Sequence, residues 1–170
     1  MRAMEIRAAT EDDLEAIFDI YNEEIRTGFA TFATEPVTPD EARQWLEVHS
    51  IPRHPARVVD LPSEDVRVAG WACLSPWSGK CAYVRTGEIS VYVAPAYHRR
   101  GLGDALLCAV LDAGRAAGVG VAVARIESTR TPSLALHYKH GFQRVGTMHR
   151  VGEKFGRILD VDVLELQLDA

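Results

Sequence analysis

The feature that most constrains this chain is a change in the spacing of its apolar residues partway along. In the first stretch they recur at helical intervals, as Leu14, Ile17, Phe18, Tyr21 and Ile25 do, with Thr10 and Asp13 forming a capping-box start and Gly28 marking the end. A second helix starts at Thr38 as N-cap, with Pro39 in the first turn and Glu41 three residues after the cap, and runs through ARQWLEVH. From Ala56 the period falls to that of a strand: ARVVDL, a turn at PSED, VRVAGWACL, then GEISVYVA. Helical spacing returns in DALLCAVLDAGRAAG, closed by Gly118, and VGVAVARIE follows as a buried strand. TPSLALHYKHG is a short helix with Gly141 as its cap, and FQRVGTM and ILDVDVLELQL are the last strands. With EIRAAT as a first strand, the order is βαα, βββ, αβ, αββ. Such an order predicts an α/β protein with a mixed sheet and helices on its faces.

A chain of 170 residues without repeat, low-complexity tract or linker is expected to form one domain spanning 1–170. The proline-bearing stretch from Ser50 to Pro62 reads as a loop around a short strand. Acidic residues outnumber basic ones, 24 to 19, for a net charge of -5, which argues against nucleic acid as a partner. Cys73, Cys81 and Cys108 make no CxxC pair and are odd in number, so reduced thiols in the cytoplasm are expected rather than disulfides or a zinc site. The start MRAMEIRAATEDD has no signal-peptide pattern, and no apolar run reaches the roughly 18 residues of a membrane span.

Against this acidic background HRRGLGDALL, residues 98–107, concentrates positive charge at a helix start. Helix N-termini present unpaired N–H groups and the positive end of the helix dipole, and Gly101 and Gly103 allow a phosphate to approach the backbone. A Walker loop is excluded, because Gly79-Lys80 is followed by Cys81. A dinucleotide fingerprint fits worse: Leu106 stands at the third glycine position and PAYHRR separates strand from glycines, although Glu127 ends the next strand at a suitable distance. Taken alone, the GxG favours an exposed helix start with solvated arginines over a phosphate site.

VYVAPAYHRRGLGDALL followed by SLALHYKHGF resembles the Gcn5-related N-acetyltransferase superfamily over nearly the whole chain. Within it the chain is most similar to phosphinothricin and methionine sulfoximine acetyltransferases, through IYN (20–22), TFATEP (31–36), SPW (75–77), AY (82–83), E.SVYV (88–93), LHYKHGF (136–142) and GEKFGR.LDV (152–161). The resemblance implies a mostly antiparallel sheet of six to seven strands with about four helices, and a bulge in the strand before the pyrophosphate loop. It implies acetyl-CoA as co-substrate, no metal, a small-molecule amine as acceptor and a homodimer. The pyrophosphate positions are His98, Arg99, Arg100, Gly101, Leu102 and Gly103, with His98 where the family has Gln or Arg. Further cofactor positions are Tyr92, Val93, Arg130, Ser133 and Tyr138, the N–H of Val93 polarising the thioester and Arg130 replacing the usual Asn.

Acetyl transfer needs a neutral amine, whereas an amino group with a pKa of about 8 to 10 is protonated at neutral pH. In GEISVYVA, Glu88, Ser90 and Tyr92 share one face of the strand. The residues themselves leave Glu88 open to two roles, a surface ion pair or a base; the resemblance assigns it the general base. His137 falls where the subgroup has a catalytic histidine, with Tyr138 as an alternative acid for the departing thiolate. Phe32, Ser78, Lys80, Tyr83 and Tyr92 match acceptor-pocket positions. Ser78 and Lys80 stand where the subgroup often has two basic residues, so one positive charge is missing, which favours an acceptor with a carboxylate and a neutral polar tail. Ile158 replaces a common Trp. Other readings are an acetyltransferase for protein N-termini or other amines, which calls for an open pocket, and a non-catalytic acetyl-CoA-binding module. His137 and His140 lack a third ligand for a metal.

Overall fold

The computed structural model describes residues 4–169. Its strands are β1 (Glu5–Ala8), β2 (Ala56–Leu61), β3 (Val66–Pro76), β4 (Thr86–Val93), β5 (Val121–Glu127), β6 (Gln143–Lys154) and β7 (Arg157–Gln167). Its helices are α1 (Leu14–Thr27), α2 (Pro39–His49), α3 (Leu102–Ala116) and α4 (Thr131–Lys139). They form one sheet in the order β1-β2-β3-β4-β5-β7-β6, antiparallel throughout except where β4 meets β5. The expected element order, sheet class and helix count are all present.

The helix starts follow their sequence signals. Thr38 Oγ1 accepts from the Glu41 N–H while the Glu41 carboxylate accepts from the Thr38 N–H, so two orphan donors are satisfied. Asp13 does more than cap. It is fully buried, accepts from the Thr10 N–H at 2.9 Å, and takes Arg7 of β1 and Arg67 of β3 at 2.7 and 2.8 Å. One carboxylate thus ties the start of α1 to two strands.

The sheet is apolar on both faces because helices cover both. On one side α3 sets Leu106, Leu107 and Val110 against Val59, Ala72 and Leu74. On the other, α1 and α2 lay Leu14, Ile17, Phe18 and Ala42 over Val58, Trp71 and Cys73. Trp71 meets Tyr21 and Trp45 edge-on, with ring centroids 6.0 and 5.6 Å apart.

What positions the site is the β4–β5 pair. These strands are in register only at Thr86↔Val121, Gly87↔Ala122 and Glu88↔Val123. Beyond Glu88, β4 stays with β3 as far as Gly70↔Val93, while β5 follows β7 as far as Glu127↔Val161. The sheet opens into a wedge between them. The expected separation of the strands is therefore found, but its cause is corrected: the β3–β4 ladder keeps one register from Pro76↔Gly87 to Gly70↔Val93. The opening comes from divergence of β4 and β5 rather than from a bulge against β3.

Asp13→Asn is expected to lower unfolding free energy by about 3 kcal/mol, because it leaves two guanidinium groups around a buried neutral amide. Burial raises the Asp13 pKa, but the hydrogen bonds from Arg7, Arg67 and Thr10 outweigh it and hold the carboxyl well below the usual range. Its stabilisation is then complete above the ordinary carboxyl pKa of about 4 and declines as pH falls below it. Urea titrations of wild type and variant should converge in that acid range; a constant gap down to pH about 2 would contradict this assignment.

Candidate active site

A cavity of about 450 Å³ fills the wedge. One wall is β4, from Glu88 to Tyr92; the opposite wall is β5, from Ala124 to Glu127, continued by Arg130, Ser133 and His137 of the α4 segment. The loop after α1, from Phe29 to Phe32, closes one end beside Met148 and Val151 of β6. The Ala94 N–H donates to Ala69 O at 2.9 Å, so by strand alternation the N–H groups of Val91 and Val93 turn away from β3 toward the wedge. These are the donors that a carbonyl lying between the strands would meet.

The HRRGLG segment follows β4 through a short turn at Pro95–Tyr97. Arg99 and Gly101 both have positive φ, 58° and 80°, and Gly101 is the N-cap of α3. This left-handed pair turns the chain so that the first-turn N–H groups of α3, which have no intrahelical acceptor, face outward together. Gly103 is less demanding: a Cβ there would lie 3.5 Å from Leu136 Cδ2, an ordinary contact. His98 Nε2 hydrogen-bonds to Val93 O at 2.8 Å and so fastens the loop to the end of β4. Arg100 is drawn away from any anion by an ion pair with Glu64 and lies over the Tyr97 ring, 5.4 Å from its centroid. Arg99 is exposed, with no partner among the described residues. The cradle is mostly main chain, with Arg99 as the exposed charge beside it. The wedge, its inward N–H groups and this helix start fit a thioester arm ending in a pyrophosphate.

His137 is buried, with 4% of its surface exposed, and its Nδ1 donates to Ser133 O at 2.8 Å. Desolvation holds its pKa below the ordinary value, so the ring is neutral near pH 7. A neutral ring with its proton on Nδ1 presents a bare Nε2. Its edge packs against Phe142, centroids 5.0 Å apart, which fixes the orientation. Tyr138 is 45% exposed and does not line the cavity.

Glu88 projects into the wedge, and both its oxygens are taken by one guanidinium: Arg125 Nε donates at 2.6 Å and Nη2 at 2.8 Å. Arg125 in turn lies near the Trp77 ring, 5.7 Å from its centroid. This arginine was missed in the sequence. Its signal was one charge in the apolar run VAVARI, two residues beyond the Val123 that the parallel register places beside Glu88.

Among the other expected positions, Tyr92 lines the cavity, donates to Ala30 O at 3.3 Å and meets Tyr21 edge-on. Burial pushes its phenol well above the usual value, so it remains a protonated donor. Phe32 lines the cavity with its ring laid on Gly152, where no Cβ would fit. Lys154 Nζ donates to Thr31 O at 2.8 Å and pins the same loop to β6. Ser78, Lys80 and Tyr83 lie outside the cavity. Glu127, the acidic residue of the dinucleotide reading, accepts from the Thr129 N–H and hydroxyl and serves the turn into α4. No group of three or more His, Cys, Asp or Glu side chains gathers in a metal-binding arrangement among the described residues.

Comparison with known proteins gives a match to the Acetyltransferase (GNAT) family over residues 14–142. A phosphinothricin N-acetyltransferase of Streptomyces coelicolor is 39% identical over 158 residues, covering 93% of this chain and 92% of that protein. An L-methionine sulfoximine/L-methionine sulfone acetyltransferase of Salmonella typhimurium is 37% identical, covering 98% and 95%. The structure of a Salmonella typhimurium acetyltransferase with its cofactor acetyl-CoA superposes with a TM-score of 0.93 at 37% identity, covering 99% of this chain and 95% of that one.

Gly101→Ala should cost about 1 kcal/mol of stability through its left-handed backbone and weaken acetyl-CoA binding, while Gly103→Ala should fold and bind as wild type. Calorimetric titration with acetyl-CoA checks both; equal losses at the two positions would mean that φ at Gly101 does not shape the cradle.

Proposed function

This chain belongs to the Acetyltransferase (GNAT) family, and from that premise we propose that it transfers the acetyl group of acetyl-CoA to the amino group of a small amino-acid analogue of the phosphinothricin, methionine sulfoximine or methionine sulfone type. The observation that carries this is the wedge in which Glu88 and His137 line the same cavity of about 450 Å³ beside the inward N–H groups of β4. The acceptor end is bordered by a loop held through Phe32 and Lys154, and a wall fixed in this way suits a small amine better than a protein N-terminus.

The acceptor arrives as an ammonium ion and must lose two protons by the end of the reaction. Glu88 receives the first, leaving a lone pair to attack the thioester carbonyl, whose oxygen is held by the Val93 N–H. As the new C–N bond forms, the bare Nε2 of His137 takes the second proton. It delivers this proton to sulfur as the C–S bond breaks, giving the amide, free thiol and one proton on Glu88 that returns to solvent. A histidine that starts neutral acts here as base and then acid, so no separate acid is needed from Tyr138. Arg130 and Ser133 flank the arm that carries the thioester.

One edge of the sheet is β6, with Val145, Met148 and Val151 exposed along it and Ile158 on β7 beside it. This apolar edge is where a second copy would complete a homodimer, next to the Met148 and Val151 wall of the cavity. Free thiols at Cys73, Cys81 and Cys108 suit a cytoplasmic enzyme. Acetylating a toxic analogue of this kind is chemistry by which resistance to it arises.

Thiol release from acetyl-CoA with phosphinothricin, methionine sulfoximine, methionine sulfone, common amino acids and short peptides provides the test. Turnover of at least one of the analogues is expected, falling about 100-fold or more in Glu88→Gln. Acetyl-CoA binding without turnover of any small amine would overturn the substrate reading, and undiminished turnover by Glu88→Gln would overturn the base.

A further inference from the structure

The Glu88–Arg125 pair is unusual for a base: both carboxylate oxygens that should receive a proton already accept from a guanidinium. The pair is not a stray surface contact. Both residues line the cavity, on strands that diverge beyond Glu88↔Val123, and Trp77 limits where the arginine can go. Exposed ion pairs contribute little to stability, so folding alone gives weak reason to keep a charged pair inside a binding cavity.

An amino acid at neutral pH carries its own pair of opposite charges, an ammonium and a carboxylate on one carbon. A carboxylate and a guanidinium in contact on a cavity wall are the complement of that zwitterion. The two pairs can exchange partners without changing net charge: Glu88 leaves Arg125 for the ammonium, and Arg125 leaves Glu88 for the carboxylate. The arginine exchanges one carboxylate for another of the same bidentate geometry. Of the basic side chains on the cavity, Arg130 stands at the start of α4 beside Ser133 and His137 is neutral, so Arg125 alone touches the group that would hold the ammonium.

We propose that Arg125 is the acceptor-recognition residue of this enzyme: it binds the acceptor's carboxylate, and by doing so releases Glu88 to take the proton of the acceptor's ammonium. This inference rests on the amino-acid-analogue reading above and adds to it a carboxylate requirement and the residue that imposes it. It also accounts for Ser78 and Lys80, which lie outside the cavity: the positive charge sought after the SPW segment is supplied from β5. An amine without a carboxylate meets an occupied base. Selectivity is thereby exerted at the chemical step as well as in binding.

The deciding experiment compares methionine sulfone with its carboxamide, which keeps the amine and the tail but loses the negative charge. Steady-state kcat and KM are measured for wild type, Arg125→Ala and Arg125→Lys, with acetyl-CoA affinity and thermal midpoint as checks on folding. Wild type should strongly prefer the acid. Arg125→Ala should lose about 10- to 100-fold in kcat/KM for the acid, the scale of a lost hydrogen-bonded charge pair. The same variant should raise kcat for the carboxamide above wild type, because Glu88 is no longer held. Arg125→Lys should restore some of the preference for the acid. A merely structural arginine would depress both substrates alike, and that result, or wild-type indifference between acid and amide, overturns the inference while leaving the acetyltransferase reading intact. The wild-type comparison decides even where a variant folds poorly. Wild type inactive on every small amine is the distinct outcome that removes the substrate reading and this inference with it.

Discussion

The site depends on a parallel strand pair that is too short. Hydrogen bonding between β4 and β5 stops at Glu88↔Val123, and each strand then keeps its other neighbour. Backbone groups turned toward a missing neighbour are costly unless something pairs with them. In this protein that cost creates the site, because the vacated strand positions offer N–H groups to a ligand that lies between the strands. The last paired residue on β4 is Glu88, so its carboxylate stands at the apex of the wedge, fixed by the ladder on both sides.

Around that apex the charges are arranged in two different ways. At the cofactor end the positive character comes from peptide groups: a helix start shaped by left-handed Arg99 and Gly101, with Arg100 already compensated by Glu64. At the acceptor end it comes from one guanidinium. Main-chain donors recognise an anion whatever the side chains around them, which is why His98 can stand in the loop where a Gln or Arg is usual and still fasten it, through Val93 O. Side-chain recognition is readily altered by substitution.

The order of strands and helices was legible because period and caps agreed at each element: Thr10 with Asp13, Thr38 with Glu41, Gly118 and Gly141 all mark ends that the structure keeps. Legible too was the face of β4 that carries Glu88 and Tyr92, which follows from alternation alone. Three things were not. The wedge results from divergence between strands distant in sequence, which no local pattern encodes, and a bulge was expected in its place. Asp13 reads as a cap, and its role as the hub for Arg7 and Arg67 needs β1 and β3 to be brought together in the sheet. Arg125 looks like a lone charge in an apolar strand until the register sets it beside Glu88.

That last case bears on how the two open roles for Glu88 relate. An ion pair and a general base look like alternatives when a residue is judged singly, since a guanidinium already engages one lone pair on each carboxylate oxygen. They are compatible when the holding partner can be displaced by the substrate's own charge. The pair then gives the carboxylate a partner until the acceptor supplies one. Substrate binding regenerates two pairs from one, so desolvating the zwitterion is offset by the contacts it acquires.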